Sequence, residues 1–547
     1  MKYFVLFLLL HCSLGWCQSY ELKIVSADSL ENKTINNKLF SRLHNSVKEL
    51  NKEWQLFQEN VEKIGYFDLR VLDSEKVNDS IFLFTIKLGN KTDFIPIYID
   101  EKIQKLKLSV IPKKDSIWIR PQEASMFLNS VSNELENKGF ALAKVYLTDF
   151  KAESTNLTAS LVIELNKKRL LDKIHFIGYE AFPEGYKKQI ERKFINAVFT
   201  DDLVQKLDTE LRGLDFITLN RTPEVLFTEN STEIYVFATK NKRNRFDGLM
   251  GFANTEESKI AFNGYLDFNL YNSFNSGESN TIYWKNNGEK QTNLNIKTDW
   301  PFVFKSNLGF DASLVLFKND SLFQNSTTAA GIKYFINAQS YIRTGIENQN
   351  SSPISNANLF PQNKSVFYTI GFYLSSKKQA ELLQIKKYSV LIDFSKGRRE
   401  TKLGSTNQEK INISANYLFE INQRNSVFLK QQTYWLNSKE YLNAELYRFG
   451  GINSIRGYRE NSLQGNFFTS IMTEYQYKAS SNLILHSILD IGYYEDQTNE
   501  LQKKISGFGF GLKIMRENSL FNLQIATSNK NPTLSNSLLH LSFTSFF

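Results

Sequence analysis

The sequence predicts a row of small α+β units followed by an all-β, closed, antiparallel barrel of sixteen strands whose outside faces lipid. An export signal opens the chain, and near residue 244 the apolar period switches from helical to strict alternation. No internal stretch approaches the roughly 20 apolar residues that a membrane helix needs. At 547 residues the chain exceeds a single core. Its 44 Phe, 25 Tyr and only 9 Pro favour strands over disorder. A net charge of +9 suits solubility or contact with anionic lipid. No Lys/Arg cluster is interleaved with base-stacking aromatics, so nucleic acid is not an expected partner.

The signal comes first. Lys2 supplies the positive start, Val5 to Leu10 the apolar run, and Gly15 and Cys17 the small residues that allow cleavage before Gln18. Bulky Trp16 argues against an acylated Cys17. With a signal peptide over 1–17, Cys12 and Cys17 leave together. The mature chain then has no disulfide, thiolate metal site or cysteine nucleophile.

Residues from Tyr20 to about Arg243 repeat one design. Leu43, Val47, Leu50, Trp54, Phe57, Val61 and Ile64 recur at helical spacing, and Gly65-Tyr66-Phe67 stops the helix before strands through Val71 and from Ile81 to Leu88. The order returns at Phe127, Val131 and Leu135, then Gly139-Phe140, Val145 and a strand from Leu157 to Leu165. A third copy opens with Ile174 to Phe176 and carries a helix ending near Leu211. It has Asp215 where the others have Gly, and closes with Ile234 to Ala238. Each copy is strand, helices, strand, strand over about 70 residues. Such units leave sheet edges that can accept an extended segment of another protein.

Beyond residue 244 the period is two. Ile260, Phe262, Leu266, Phe268 and Leu270 share one face, and Lys259, Asn263, Asp267 and Asn269 the other. Ile411, Ile413, Ala415, Tyr417 and Phe419 alternate with Asn412, Ser414, Asn416 and Glu420 in the same way. Runs of about ten such residues between polar turns suit a lipid-facing barrel, and hydrocarbon tolerates no open edge, so the sheet must close. Sixteen strands are expected, beginning near residues 246, 258, 278, 291, 306, 326, 339, 365, 387, 409, 425, 466, 482, 504, 519 and 536. Leu539, Leu541, Phe543 and Phe547 share a face of the last one.

Between the eleventh and twelfth strands lies Arg448-Phe449-Gly450-Gly451-Ile452-Asn453-Ser454-Ile455-Arg456-Gly457-Tyr458. Its glycines permit turns barred to other residues. An arginine among small and apolar neighbours is either a solvated charge or reaches inward to a carboxylate. Alternation turns Asp490 and His486 inward on one later strand, and Glu474 inward on the strand before it. Both carboxylates could then meet the planar fork of Arg456.

These residues resemble the outer-membrane assembly superfamily that includes BamA, TamA and the two-partner secretion transporters. Gly450, Gly451, Ser454, Ile455, Arg456, Gly457 and Tyr458 are similar to its loop motif, and Ile488-Leu489-Asp490-Ile491-Gly492 to its aromatic-x-Asp-x-Gly strand. Gly507, Gly509 and Gly511 resemble its glycine-rich next strand. The sequence departs from the pattern at Ile488, in the aromatic's place, and near Ser542, where the sorting signal has glycine. The resemblance implies POTRA-like domains over 18–100, 101–168 and 169–243 and a transmembrane barrel over 244–547, closest in layout to TamA. It implies a lumen loop with Arg456 bonded to Glu474 and Asp490. It further implies a weak seam between the first and last strands, involving Phe246, Gly248, Gly251, Phe543 and Phe547.

The expected function is insertion or export of polypeptides at the bacterial outer membrane without ATP, with the N-terminal domains in the periplasm. The expected partners are the lipid bilayer, unfolded or extended clients, and conceivably a protein spanning the periplasm. A two-partner-type transporter for one secreted protein ranks second. A passive porin ranks last, because it needs neither tandem units nor an arginine loop. No cofactor, metal site or catalysis is expected: there is no G-x-S-x-G elbow and no H-E-x-x-H, and Gly507 to Gly511 lies in a strand rather than before a helix. His486 reads as a satisfied polar residue.

Overall fold

The computed structural model describes residues 19–35, 39–153, 156–241, 244–254, 260–286, 291–319, 322–354, 361–376, 387–528 and 537–547. The expected signal segment, 1–17, lies outside the described residues. The chain divides into two compact units, one of residues 1–170 with 198–200, the other of 171–197 with 201–547.

The first unit holds two small four-stranded sheets. In one, Leu43–His44, Tyr20–Ser26, Ile81–Lys87 and Arg70–Lys76 lie side by side; in the other the order is Ser116–Ile119, Ile95–Tyr98, Asn156–Glu164, Lys144–Glu153. The second unit opens with a third such sheet, in which Lys173–Ile177, Ile217–Leu219 and Glu224–Phe227 all pair with Thr232–Lys240. In all three the opening strand runs parallel to the closing strand. The parallel pairing of opening and closing strands recurs three times, but the remaining short strand joins the opening strand in the first two sheets and the closing strand in the third.

The first two copies also share a helix ending. Val47–Lys63 stops where the Gly65 N–H meets the Glu62 carbonyl at 2.9 Å and the Tyr66 N–H meets Val61 at 3.1 Å. Ala124–Asn137 stops identically, with Gly139 on Glu136 at 2.7 Å and Phe140 on Leu135 at 2.9 Å. This double bond with a left-handed glycine is a Schellman ending. The third copy, whose helix spans Asp201–Arg212, has no left-handed glycine there; the Gly213 N–H bonds back to Thr209 and Glu210.

Two expectations need correcting. Leu43 is not on the helix Val47–Lys63: Ser46 caps that helix, accepting the Glu49 N–H at 3.2 Å, and Leu43 sits exposed on the short strand before it. The boundary between the first two units is not at 100/101. Ile95–Tyr98 opens the second sheet, pairing with Ser116–Ile119 and Asn156–Glu164, and its brevity hid it from a search for alternation.

The rest of the second unit is a closed antiparallel barrel of sixteen strands, from Arg245–Asn254 to Leu538–Phe546. Starts agree with expectation within a few residues except at the tenth strand, which begins at Gly404 rather than near 409. Gly404 to Gln408 is polar throughout, so it shows no apolar alternation even though it continues the ladder. Around the outside Ile370, Ile392, Phe394, Ile471, Leu489, Ile491, Phe510, Leu539 and Leu541 are exposed, as a hydrocarbon-facing wall requires. Their neighbours Ser389, Ser395, Met472, Glu474, Ile488 and Asp490 are buried on the inside.

The third small unit docks on the barrel through its helix Glu184–Phe194. Phe302, in the turn between the fourth and fifth barrel strands, is 4 % exposed and meets Tyr186 edge-on at 4.7 Å and Phe335 at 4.5 Å. Gln189 donates to the Ser306 carbonyl at 3.0 Å, and Lys305 pairs with Glu184 at 3.1 Å. The turn holds Phe302, Phe304 and Lys305 at φ between 50° and 56°, a left-handed backbone that bulky residues adopt at a cost. Phe302→Ala is expected to weaken this docking by about 3 kcal/mol, a typical loss for a buried phenylalanine. Limited proteolysis should then release the N-terminal units from an intact barrel faster than in wild type.

Candidate functional site: an arginine brace and a short seam

The loop joining the eleventh strand, Asn425–Ser438, to the twelfth, Phe467–Ser480, folds into the lumen. A small hairpin, Tyr447–Phe449 against Leu463–Gly465, forms its base. Phe449 and Ile455 bury against Phe468, Tyr494 and Ile505 of the wall, with Tyr458 partly buried beside them. Phe449 stacks on Phe468 at 4.0 Å, and Tyr447 on Tyr434 at 4.6 Å. Burial of this aromatic base draws the loop inward.

Beyond the hairpin the backbone turns sharply at Gly450 and Gly451, both left-handed (φ +108° and +93°). The Gly450 N–H bonds to Ser454 Oγ at 2.8 Å and the Gly451 N–H to the Ile455 carbonyl at 3.0 Å. This turn delivers Arg456 to the wall. Gly507, on the fourteenth strand, lets the wall come close: a Cβ there would overlap the Arg456 carbonyl. Gly457 (φ +86°) likewise presses on the backbone of Thr527.

The guanidinium of Arg456, 2 % exposed, lies between two carboxylates. Nε and Nη2 grip Asp490 at 2.9 and 2.6 Å, and Nη1 reaches Glu474 at 2.6 Å. The backbone N–H of Arg456 also donates to Asp490 Oδ2, at 2.9 Å. Glu474 is shared with Lys513 at 3.1 Å and Gln476 at 2.8 Å. Two basic side chains therefore face two acidic ones, and their formal charges balance. Burial weakens each charge's solvation, and the fork geometry with its extra hydrogen bonds offsets that cost.

Sequence reasoning placed Arg456, Glu474 and Asp490 together; it did not find Lys513, Gln476 or Lys430, whose Nζ donates to the Asn453 carbonyl at 2.8 Å. Lys513 was within reach of the same argument, since its flanking residues Leu512 and Ile514 alternate with it. His486 is buried, with Nδ1 3.8 Å from Glu474.

The seam is the second feature. Among the described residues, the first and last strands pair only through Arg245 with Phe546, Phe246 with Ser545, and Asp247 with Thr544. Thr544 Oγ1 donates to Asp247 at 2.7 Å. Other neighbours in the barrel share eight to fourteen pairs. Phe246 and Phe543 are exposed outward, and the Phe547 N–H bonds to the Asn244 carbonyl at 2.9 Å. Gly248 and Gly251 lie past the paired segment, matched only to Leu266 and Asn263 of the second strand. The side chains around Gly251 lie outside the described residues.

No protein-family model and no curated protein matches the chain. Among solved structures, CdiB from Escherichia coli matches 96 % of this chain and 100 % of its own at 11 % identity, with a TM-score of 0.52. The fold is that of CdiB. CdiB from Acinetobacter baumannii covers 92 % of this chain and 97 % of its own at 14 % identity and TM-score 0.49. BamA from Haemophilus ducreyi lacking POTRA domains 1–3 covers 82 % and 99 % at 14 % identity and TM-score 0.49.

Within this CdiB-like barrel the loop and the third small unit border an open cavity of about 1060 Å³. Ala444 to Arg448 line it from the loop, and Tyr186, on helix Glu184–Phe194, with Gly213 to Phe216 from the third unit. Its interior charges are mostly paired, as in Arg343 with Asp311 at 2.8 Å and Lys410 with Glu347 at 3.0 Å. Gly507→Ala is expected to push the Arg456 backbone off the wall, because the obstructing atom is a carbonyl rather than a flexible side chain. Cysteine pairs joining residue 453 to residue 430 should then cross-link more slowly than in the parent, while barrel assembly continues.

Proposed function

We propose that this protein inserts or exports polypeptides at the bacterial outer membrane without ATP. On this reading the barrel sits in the bilayer and the three small units lie in the periplasm. The observation that carries it is the pairing of a short seam with a loop braced inside the lumen. A three-pair contact beside unpaired strand edges offers a client strand a template, and hydrocarbon makes satisfying those edges favourable. A diffusion channel would need an open lumen instead of one crossed by a braced loop. Catalysis has no support here: Arg456 and Lys513 hold Glu474 and Asp490 in a balanced cluster suited to bracing.

Three tandem units favour a TamA-like assembly role over transport of one secreted protein; the CdiB-like fold favours the second reading. A photo-crosslinking residue at Phe246 in living cells distinguishes them. Capture of several outer-membrane proteins supports assembly, and capture of one secreted protein supports the transporter. Capture of no polypeptide, with solute uptake lost on deletion, would overturn both.

A further inference from the structure

The lumen loop carries another buried arginine–carboxylate pair, far along the chain from Arg456. Glu445, in the stem of the loop, accepts from Arg399 Nη1 at 2.6 Å, and the two side chains are 4 % and 2 % exposed. Its other oxygen accepts from Gln408 at 2.9 Å, and the Leu442 N–H donates to the Arg399-bound oxygen at 2.8 Å, closing the stem. Arg399 Nη1 also donates to the Glu440 carbonyl at 3.1 Å, and Asn325 holds the Ala444 carbonyl at 2.6 Å. Here the wall supplies the cation and the loop the anion, the reverse of the Arg456 site.

We propose that Arg399 and Glu445 form a second latch that positions the stem of the loop independently of the latch at its tip. The two clusters share no residue. The stem latch engages the ninth and tenth strands, Tyr388–Thr401 and Gly404–Glu420; the tip latch engages the twelfth to fourteenth. Between them lie Gly450 and Gly451, whose permissive backbone can absorb a rotation of the tip while the stem stays fixed. Interactions with no shared partner act additively, so each latch can break alone. The lumen cavity is lined by stem residues, so the stem latch keeps that wall in place while the tip moves. The inference needs only the fold, and it stands whatever the barrel handles.

Hydrogen exchange of the full, folded protein in lipid nanodiscs tests it, read on peptides covering 439–449 and 450–462. Glu445→Gln leaves buried Arg399 with only the exposed Glu440 carboxylate, 3.9 Å away, as counter-ion. It should speed exchange in the stem peptide roughly tenfold or more while leaving the tip and the barrel strands at the parent rate. Arg456→Ala should do the reverse, speeding the tip and sparing the stem. A general loss of stability would instead raise exchange across the wall strands as well. If Glu445→Gln fails to assemble, Arg399→Lys keeps the charge but loses the fork and should give the same stem-only response. The proposal is overturned if these stem variants speed tip and stem alike, or if the stem peptide exchanges at the parent rate.

Discussion

Arg456→Ala is expected to lower the temperature at which the folded barrel opens in detergent, while the protein is still exported and inserted. The substitution removes the counter-ion of Asp490, which is 0 % exposed, and half the cationic charge facing Glu474. Breaking a buried pair by deleting one partner typically costs about 3–5 kcal/mol, because the remaining charge stays desolvated. Lys513 still faces Glu474 at 3.1 Å, so the residual strain concentrates at Asp490. Adding Asp490→Asn to Arg456→Ala should therefore recover much of the lost heat resistance. It should not recover client handling if the tip of the loop must be held at the wall. The heat-shifted band on gels reads the first effect, and assembly or secretion of the client reads the second. A variant matching wild type in both would show that the brace is ornamental.

The sequence revealed what alternation can encode. Asp490 and Glu474 were legible because Leu489, Ile491 and Tyr475 must face lipid, which forces their neighbours inward. The arginine needed its glycines to be noticed. Features set by three-dimensional closure were not legible. Nothing local to Arg245 or Thr544 announces that their strands share only three pairs, since that number follows from the register of the whole barrel. Phe302 reads as one more aromatic at a strand end, and only the docked helix Glu184–Phe194 and Phe335 explain its burial. Glu445 was passed over for a related reason: it lies in a polar stretch without period, and its partner Arg399 is 46 residues away on a strand where Arg398 and Arg399 look equivalent. The burial pattern separates them, Arg399 inside and Arg398 on the exposed face.

A disulfide across the seam should abolish activity while leaving the barrel folded. Phe246 and Ser545 are directly matched, and neighbouring antiparallel residues bring their Cα atoms to about 4.5–5.5 Å, within disulfide range. Both cysteines of the sequence fall at positions 12 and 17, so with those two replaced by Ser, Phe246→Cys and Ser545→Cys supply the only thiols. If clients enter by parting these strands, the opening must break three residue pairs, the Thr544–Asp247 hydrogen bond and the Phe547–Asn244 backbone bond. At about 1 kcal/mol net for each hydrogen bond that is a modest barrier, and the eight or more pairs at every other boundary make the seam the first to yield. The oxidised variant should thus lose client insertion, keep or raise its heat resistance, and regain function on reduction. Each single-cysteine variant should behave as the parent under both conditions. Full activity in the oxidised form would mean that clients pass without parting the strands, and the route would then have to run through the lumen and past the braced loop.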